Sequence, residues 1–113
     1  MTNSQQHPSA EQLKDLAVNA LEDMKAIDLN VYHITNISDV TDYTVICSGR
    51  SNRHVKSLAE TVSVKAKENG VKPLSLEGTE SSEWVLVDLG EVVVHVMQQQ
   101  TRDFYQIEEL WVE

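Results

Sequence analysis

The sequence predicts an α/β fold of the mixed α+β kind: a five-stranded mixed sheet carrying about three helices. Three observations point there. Two long segments place apolar residues three and four apart, the helical period. Five short runs read as extended, and the last two flank a glycine-containing turn. The elements follow in the order helix, two strands, helix, three strands, helix. That order holds one strand–helix–strand unit and one hairpin, so parallel and antiparallel pairing belong to the same sheet.

Each element has its own local warrant. Residues 1–8 are polar and read as a disordered tail, leaving 9–113 as a single domain. Ser9 and Gln12 have the spacing of a capping box. Leu13, Leu16, Ala17, Ala20, Leu21, Met24 and Ile27 then form one stripe, predicting a helix over about 10–27. Residues 29–35 alternate as a strand, 36–42 are turn-rich, and 43–48 form a short β-branched strand. Gly49 and Arg50 break it, and Ser51 caps the next helix, whose buried stripe is Val55, Leu58, Ala59, Val62 and Ala66. Asn69-Gly70 ends that helix. Residues 71–77 are expected to be extended, with Pro73 marking an edge or the strand's start. The unit from 43 to 77 suggests a parallel pair between its two strands. Residues 83–88 and 91–97 form a hairpin, and a short helix over about 101–109 packs through Phe104, Ile107 and Leu110 or Trp111.

Composition bounds the function. Leu, Ile, Val and Phe supply 31 of 113 residues, above the roughly 20% below which a charged chain stays unfolded. No apolar run approaches the ~18–20 residues of a membrane helix, and the polar start argues against a secretory signal. One cysteine, Cys47, excludes an internal disulfide and a multi-cysteine metal site. A cytoplasmic location fits. The net charge of −9 is concentrated: residues 77–113 hold nine acids and one base, Arg102. Such a segment repels phosphate backbones and suits a basic partner; solvated faces that keep the chain in solution are the plainer explanation.

Two constellations could carry chemistry. Cys47-Ser-Gly-Arg-Ser-Asn-Arg53 matches the C-x5-R loop of cysteine phosphatases, at a strand-to-helix junction where amides and a guanidinium could hold a phosphate. A nucleotidyl-transferring site at the same Gly-Ser turn would need closely spaced strand carboxylates for its metals. None occurs here. The alternative is a small core cysteine, with Ser51 a simple cap. The histidines have no metal-ligand spacing. The second constellation is the hairpin. A three-residue turn, Asp88-Leu89-Gly90, with Gly90 at a left-handed bulge, puts Trp84 and Leu86 on one face with Val92, Val94 and Val96. Val85, Val87, Val93, His95 and Met97 then share the other. Both faces are apolar. One needs helices; the other is covered too, or is a partner-binding patch rimmed by Glu77, Glu80, Glu83, Asp88 and Glu91.

Long ordered motifs then identify a resemblance. Asp42 to Val55, Glu77-Gly78, Trp84 to Met97, Arg102-Asp-Phe-Tyr105 and Glu109-Leu-Trp111 resemble the ribosomal silencing factor family, also called Iojap-like, from about Leu13 to Trp111. The resemblance implies a nucleotidyltransferase-like topology without catalytic carboxylates, and no cofactor or metal. It implies a translational repressor that binds the large ribosomal subunit through ribosomal protein L fourteen. Such a repressor blocks joining of the small subunit when nutrients are short, and it can form a homodimer. The residues assigned to the partner contact are Glu77, Trp84, Val85, Leu86, Asp88, His95 and Met97, with Trp84 facing the partner.

Overall fold

Two apolar strands, Tyr43–Gly49 and Val92–Gln98, lie parallel at the heart of a five-stranded sheet in the computed structural model, which describes residues 7–111. In chain order the strands are β1 (Ile27–His33), β2 (Tyr43–Gly49), β3 (Ser75–Glu77), β4 (Trp84–Asp88) and β5 (Val92–Gln98). Their order across the sheet is β1-β2-β5-β4-β3, antiparallel except for β2 and β5. Helices α1 (Ala10–Asp23) and α2 (Asn52–Glu68) cover one face. Their stripes (Leu13, Ala17 and Leu21; Val55, Leu58 and Val62) bury against Val45, Cys47, Val85, Val87, Val94 and Val96. Each valine or leucine among them contributes about 1.5–3 kcal/mol when removed from water, and this layer is the main core. The expected class, a mixed sheet with three helices, is the class observed.

The helix ends follow from local chemistry. The Ser9 hydroxyl accepts from the Gln12 amide at 3.1 Å while the Gln12 side chain accepts from the Ser9 amide at 2.8 Å, closing the box that the spacing predicts. Helix α1 stops at Asp23, short of the expected residue 27. Lys25 takes a left-handed φ of 67°, and the Ala26 amide reaches back to the Leu21 carbonyl. This is a Schellman closure with lysine in the place usually held by glycine. Ile27 therefore leaves the helical stripe and opens β1. Ser51 caps α2 by accepting from the His54 amide. Gly49 lets β2 run tightly into α2, since a Cβ there would lie 2.8 Å from a Val55 methyl.

Four expectations are corrected by the tertiary structure. The parallel partner of β2 is β5; β3 runs in the same direction as β2 but at the far edge, with β5 and β4 between them. β3 itself is only three residues long, because Pro73 has no amide to offer and pairing begins beyond it. The hairpin turns through two residues, Gly90 and Glu91, with the Leu89 amide bonded to the Val92 carbonyl and Gly90 at φ 90°. Glycine first in a two-residue turn matches strand twist without a bulge. Removing the bulge shifts the parity by one, so Trp84, Leu86, His95 and Met97 share one face and Val85, Val87, Val94 and Val96 the other. The C-terminal helix is likewise two pieces: α3 (Gln99–Tyr105) and a 3-10 turn (Ile107–Leu110), separated by Gln106 at φ 49°. Ile107 is buried and Trp111 half-buried, but Phe104 and Leu110 point to solvent. The tail expected over residues 1–8 lies outside the described residues up to residue 6.

Two glycines with positive φ separate conformational from steric cost. Gly70 (φ 84°) has open space where a Cβ would go, whereas at Gly78 (φ 92°) the Cβ would lie 2.1 Å from the Trp84 carbonyl oxygen. Gly70→Ala is expected to cost about 1 kcal/mol, the left-handed penalty alone. Gly78→Ala is expected to cost roughly 3 kcal/mol, because the β4 backbone must also move. Urea unfolding of the two variants measures both; equal losses would contradict this packing.

Candidate interaction surface

The face of the sheet away from α1 and α2 is built from alternate residues of five strands. The pairing places Tyr32, Thr44 and Ile46 there from β1 and β2, His95 and Met97 from β5, and Trp84 and Leu86 from β4, with Glu77 beyond them on β3. Among the described residues, only part of this face is covered. The 3-10 turn after α3 drops Ile107 onto Ile46 and Met97, and Tyr32, Trp84 and Trp111 pack around that small second core.

The side chains on this face form a continuous aromatic row. Tyr32 and Trp111 lie 6.0 Å apart between ring centroids, Trp111 and His95 5.8 Å, His95 and Trp84 6.0 Å, Trp84 and Tyr105 5.1 Å, and Tyr105 and Phe104 4.9 Å. Tilted and edge-on pairs at these distances add stability beyond simple burial. The row is deepest at its middle and wet at one end: His95 is 8% exposed, Trp84 half-buried, Tyr105 55% and Phe104 79% exposed. Two open clefts flank it. One, of about 310 Å³, is lined by Glu77, Gly78, Trp84 and Leu86; the other, of about 340 Å³, by Glu83, Gln98, Gln100, Thr101, Phe104 and Tyr105.

His95 holds the row in register. The Trp84 indole donates to His95 Nδ1 at 3.1 Å. An indole nitrogen only donates, so Nδ1 carries no proton and the ring is neutral. Burial favours the same state, pushing the imidazole down to about 4.

The residues expected at a partner contact divide accordingly. Trp84, Leu86, Asp88 and Glu77 come together on the open part of this face, and His95 and Met97 lie beneath them as its floor. Val85 does not belong: it is 0% exposed in the helix-side core, pairing with Val96 on the opposite face. The bulged register put His95 and Met97 away from Trp84, and the observed register corrects that. Tyr32, Tyr105 and Trp111 are members of the row that the sequence reading did not assign. Their signal was present as aromatic residues at both ends of the chain, but only the fold brings them together.

The Cys47-to-Arg53 loop assembles no thiolate site. Cys47 is fully buried against α1 and α2, and burial pushes its thiol up to about 12, the charge of Arg102 offsetting this only in part. The polar residues after it serve the junction. His54 Nδ1 accepts from the Arg50 amide at 2.9 Å and its Nε2 donates to the Met24 carbonyl at 2.8 Å, tying α2 to the end of α1. Among the described residues, no three His, Cys, Asp or Glu side chains gather as a metal site. No helix there is long and apolar enough to cross a membrane.

Residues 7–113 match the family model described as ribosomal silencing factor during starvation. A Chromobacterium violaceum protein named ribosomal silencing factor is 46% identical over 101 residues, covering 89% of this chain and 83% of its own. The chain belongs to the ribosomal silencing factor family. A crystal structure of a Chromobacterium violaceum protein shares the fold at a TM-score of 0.90 and 45% identity, covering 92% of this chain and 87% of that one. A more distant relative, 32% identical over 100 residues, is a mouse protein named mitochondrial assembly of ribosomal large subunit protein 1. Its coverage is 86% of this chain and 44% of the mouse protein. Family membership makes this chain a silencing factor associated with the ribosome, and the family name denotes a regulator rather than a reaction.

A pH dependence follows from His95. The ring is neutral in the fold, whereas the unfolded chain takes up a proton below about 6.5. Unfolding therefore binds a proton between about pH 6.5 and 4, and stability falls as pH falls through that window. His95→Gln still offers an acceptor to the indole but cannot be protonated. Between pH 7 and 5.5 the native protein is expected to lose about 1 kcal/mol more than His95→Gln. Urea unfolding at the two pH values checks this; an identical loss in both proteins would contradict it.

Proposed function

We propose that the open aromatic face docks on the large ribosomal subunit through ribosomal protein L fourteen and that the bound domain sterically blocks joining of the small subunit. The observation that carries this reading is the half-covered row around Trp84, with Glu77 and Glu83 on its flanking clefts and Asp88 on the same face, in a member of this family. Apolar anchors at the centre and charge at the rim are the anatomy of a protein-binding patch. The rim is acidic, and a ribosomal protein is basic, so the potentials are complementary. The mouse relative's name, which refers to the ribosomal large subunit, supports that choice of subunit.

In this reading Trp84, Leu86, Asp88 and Glu77 make the contact, while His95 and Met97 support it from below. Residues 9–113 act as one domain, in the cytoplasm, when nutrients are short. Repression needs no turnover, since occupying an intersubunit contact is enough. A homodimer using the same face would hold the factor in reserve, because a surface buried between two copies cannot also bind the ribosome.

Sedimentation with separated subunits tests the proposal. The protein is expected to travel with large subunits and not with small ones; binding to both or to neither would refute it. Leu86→Lys places a positive charge on the face while leaving the helix-side core intact. Its affinity for large subunits is expected to fall at least tenfold, with a melting temperature within a few degrees of the parent. The association rate constant is expected to fall as ionic strength rises, because rim charges act over about a Debye length, ~10 Å at 0.1 M salt. A rate constant flat with salt would remove electrostatic steering from the account.

A further inference from the structure

The segment that completes the aromatic row has little to hold it by itself. Helix α3 has seven residues and no side-chain cap, the 3-10 turn has four, and a left-handed Gln106 joins them. Helices this short are unstable alone. Their apolar anchorage on the sheet is Ile107, with Trp111 packed beside it. Yet they carry Tyr105 and Trp111, which meet Trp84 and His95.

Beneath them lies a buried charge. Arg102, 5% exposed, is the one base among residues 77–113. Its Nε donates to the Glu108 carboxylate at 2.7 Å, and one terminal nitrogen donates to the Ser48 hydroxyl at 2.9 Å. Ser48 donates onward to the Gln99 side chain at 3.0 Å, and Gln99 donates to Asp103 at 2.8 Å. Two of the guanidinium's N–H groups are placed on fixed acceptors. A single planar guanidinium thus joins three elements: the end of β2, the body of α3 and the 3-10 turn. Buried ion pairs are costly to desolvate, and apolar side chains of similar volume usually serve stability as well or better. What the fork adds is direction, since its donors lie in one plane at fixed angles.

We propose that Arg102 is the positioning residue of the ribosome contact: it fixes the α3 and 3-10 segment on the sheet so that Tyr105 and Trp111 complete the row around Trp84. This rests on the reading of the aromatic face as the large-subunit contact. Arg102 acts through the residues it orients and need not touch the partner.

The test compares Arg102→Leu and Arg102→Lys with Val62→Ala, which removes two methyl groups from the helix-side core. Three quantities are measured on each full-length protein: melting temperature, near-ultraviolet circular dichroism, which reports the surroundings of Trp84 and Trp111, and affinity for separated large subunits. Arg102→Leu is expected to keep its far-ultraviolet spectrum, lose most of the near-ultraviolet signal and bind at least tenfold more weakly. Arg102→Lys is expected not to recover binding, because an ammonium lacks the planar fork that reaches Glu108 and Ser48 together. Val62→Ala is expected to lower the melting temperature while keeping both the signal and the affinity. Should Arg102→Leu fail to fold, Glu108→Ala cuts the arm to the 3-10 turn and is expected to weaken binding at least threefold. Arg102 variants with native affinity and native near-ultraviolet signal would overturn the proposal. So would full rescue by lysine, or a loss of affinity in Val62→Ala matching its loss of stability. If the parent protein itself fails to bind large subunits, the docking reading falls, and the near-ultraviolet comparison still decides what Arg102 positions.

Discussion

The parallel pairing of β2 with β5 is the constraint on which the rest of the structure depends. Val45 opposite Val94 and Cys47 opposite Val96 project to one face, Ile46 opposite His95 and Ser48 opposite Met97 to the other. Both strands are buried on both sides along most of their length. A parallel pair of this kind needs cover on each face. Helices α1 and α2 supply it on one side with two apolar stripes. On the other side, what is left of the described chain is seven residues of α3 and one 3-10 turn. That is enough for β2 and β5 but not for β4 and β3. The open aromatic surface is therefore a consequence of sheet width exceeding helix supply, and incomplete cover is what leaves Trp84 and Leu86 within reach of a partner.

Charge follows the same geometry. Arg102, the lone base of the last third, is buried and paired with Glu108, so it contributes little to the potential outside. The acids around it on the C-terminal segment, Asp103 and Glu109, stay at the surface. The surface presented by β3, β4, β5 and the C-terminal segment is thus more one-sided than the sequence count of nine acids and one base already states. A field of that sign favours a basic partner and opposes direct contact with nucleic-acid phosphates.

The Gly49-Arg50-Ser51 turn shows how a motif can be chemically suggestive and structurally ordinary. Glycine at a strand-to-helix turn, a cap hydroxyl and nearby bases are also what a phosphate cradle uses. Here the glycine and the hydroxyl each have a local duty, and so does the neighbouring His54. Gly49 permits close approach to Val55, Ser51 closes the helix start, and His54 bonds the turn to the end of α1. The cysteine that would complete the phosphatase pattern faces the core, because strand alternation puts position 47 on the same side as Val45.

Much of this was legible in the chain alone. The capping box at Ser9, the stripes of α1 and α2, the Ser51 cap, strand β2 and the class of the sheet rest on interactions between residues a few positions apart, and local patterning encodes those directly. The asymmetry of charge is a property of composition and needs no fold. What the chain alone could not decide were choices among nearly equal non-local arrangements. A two-residue turn in place of a bulged one changes the parity of the hairpin, and that one step moved His95 and Met97 beneath Trp84 and sent Val85 into the core. The partner of β2 depended on which strands inserted between it and β3, and the two that did, β5 and β4, share a valine-rich local pattern. The aromatic row joins Tyr32 to Trp111 across 79 positions of sequence, and Arg102 reaches Ser48 across 54. Short-range patterning carries the period of each element, but only the packed sheet, by burying one face fully and the other in part, determines which side chains meet.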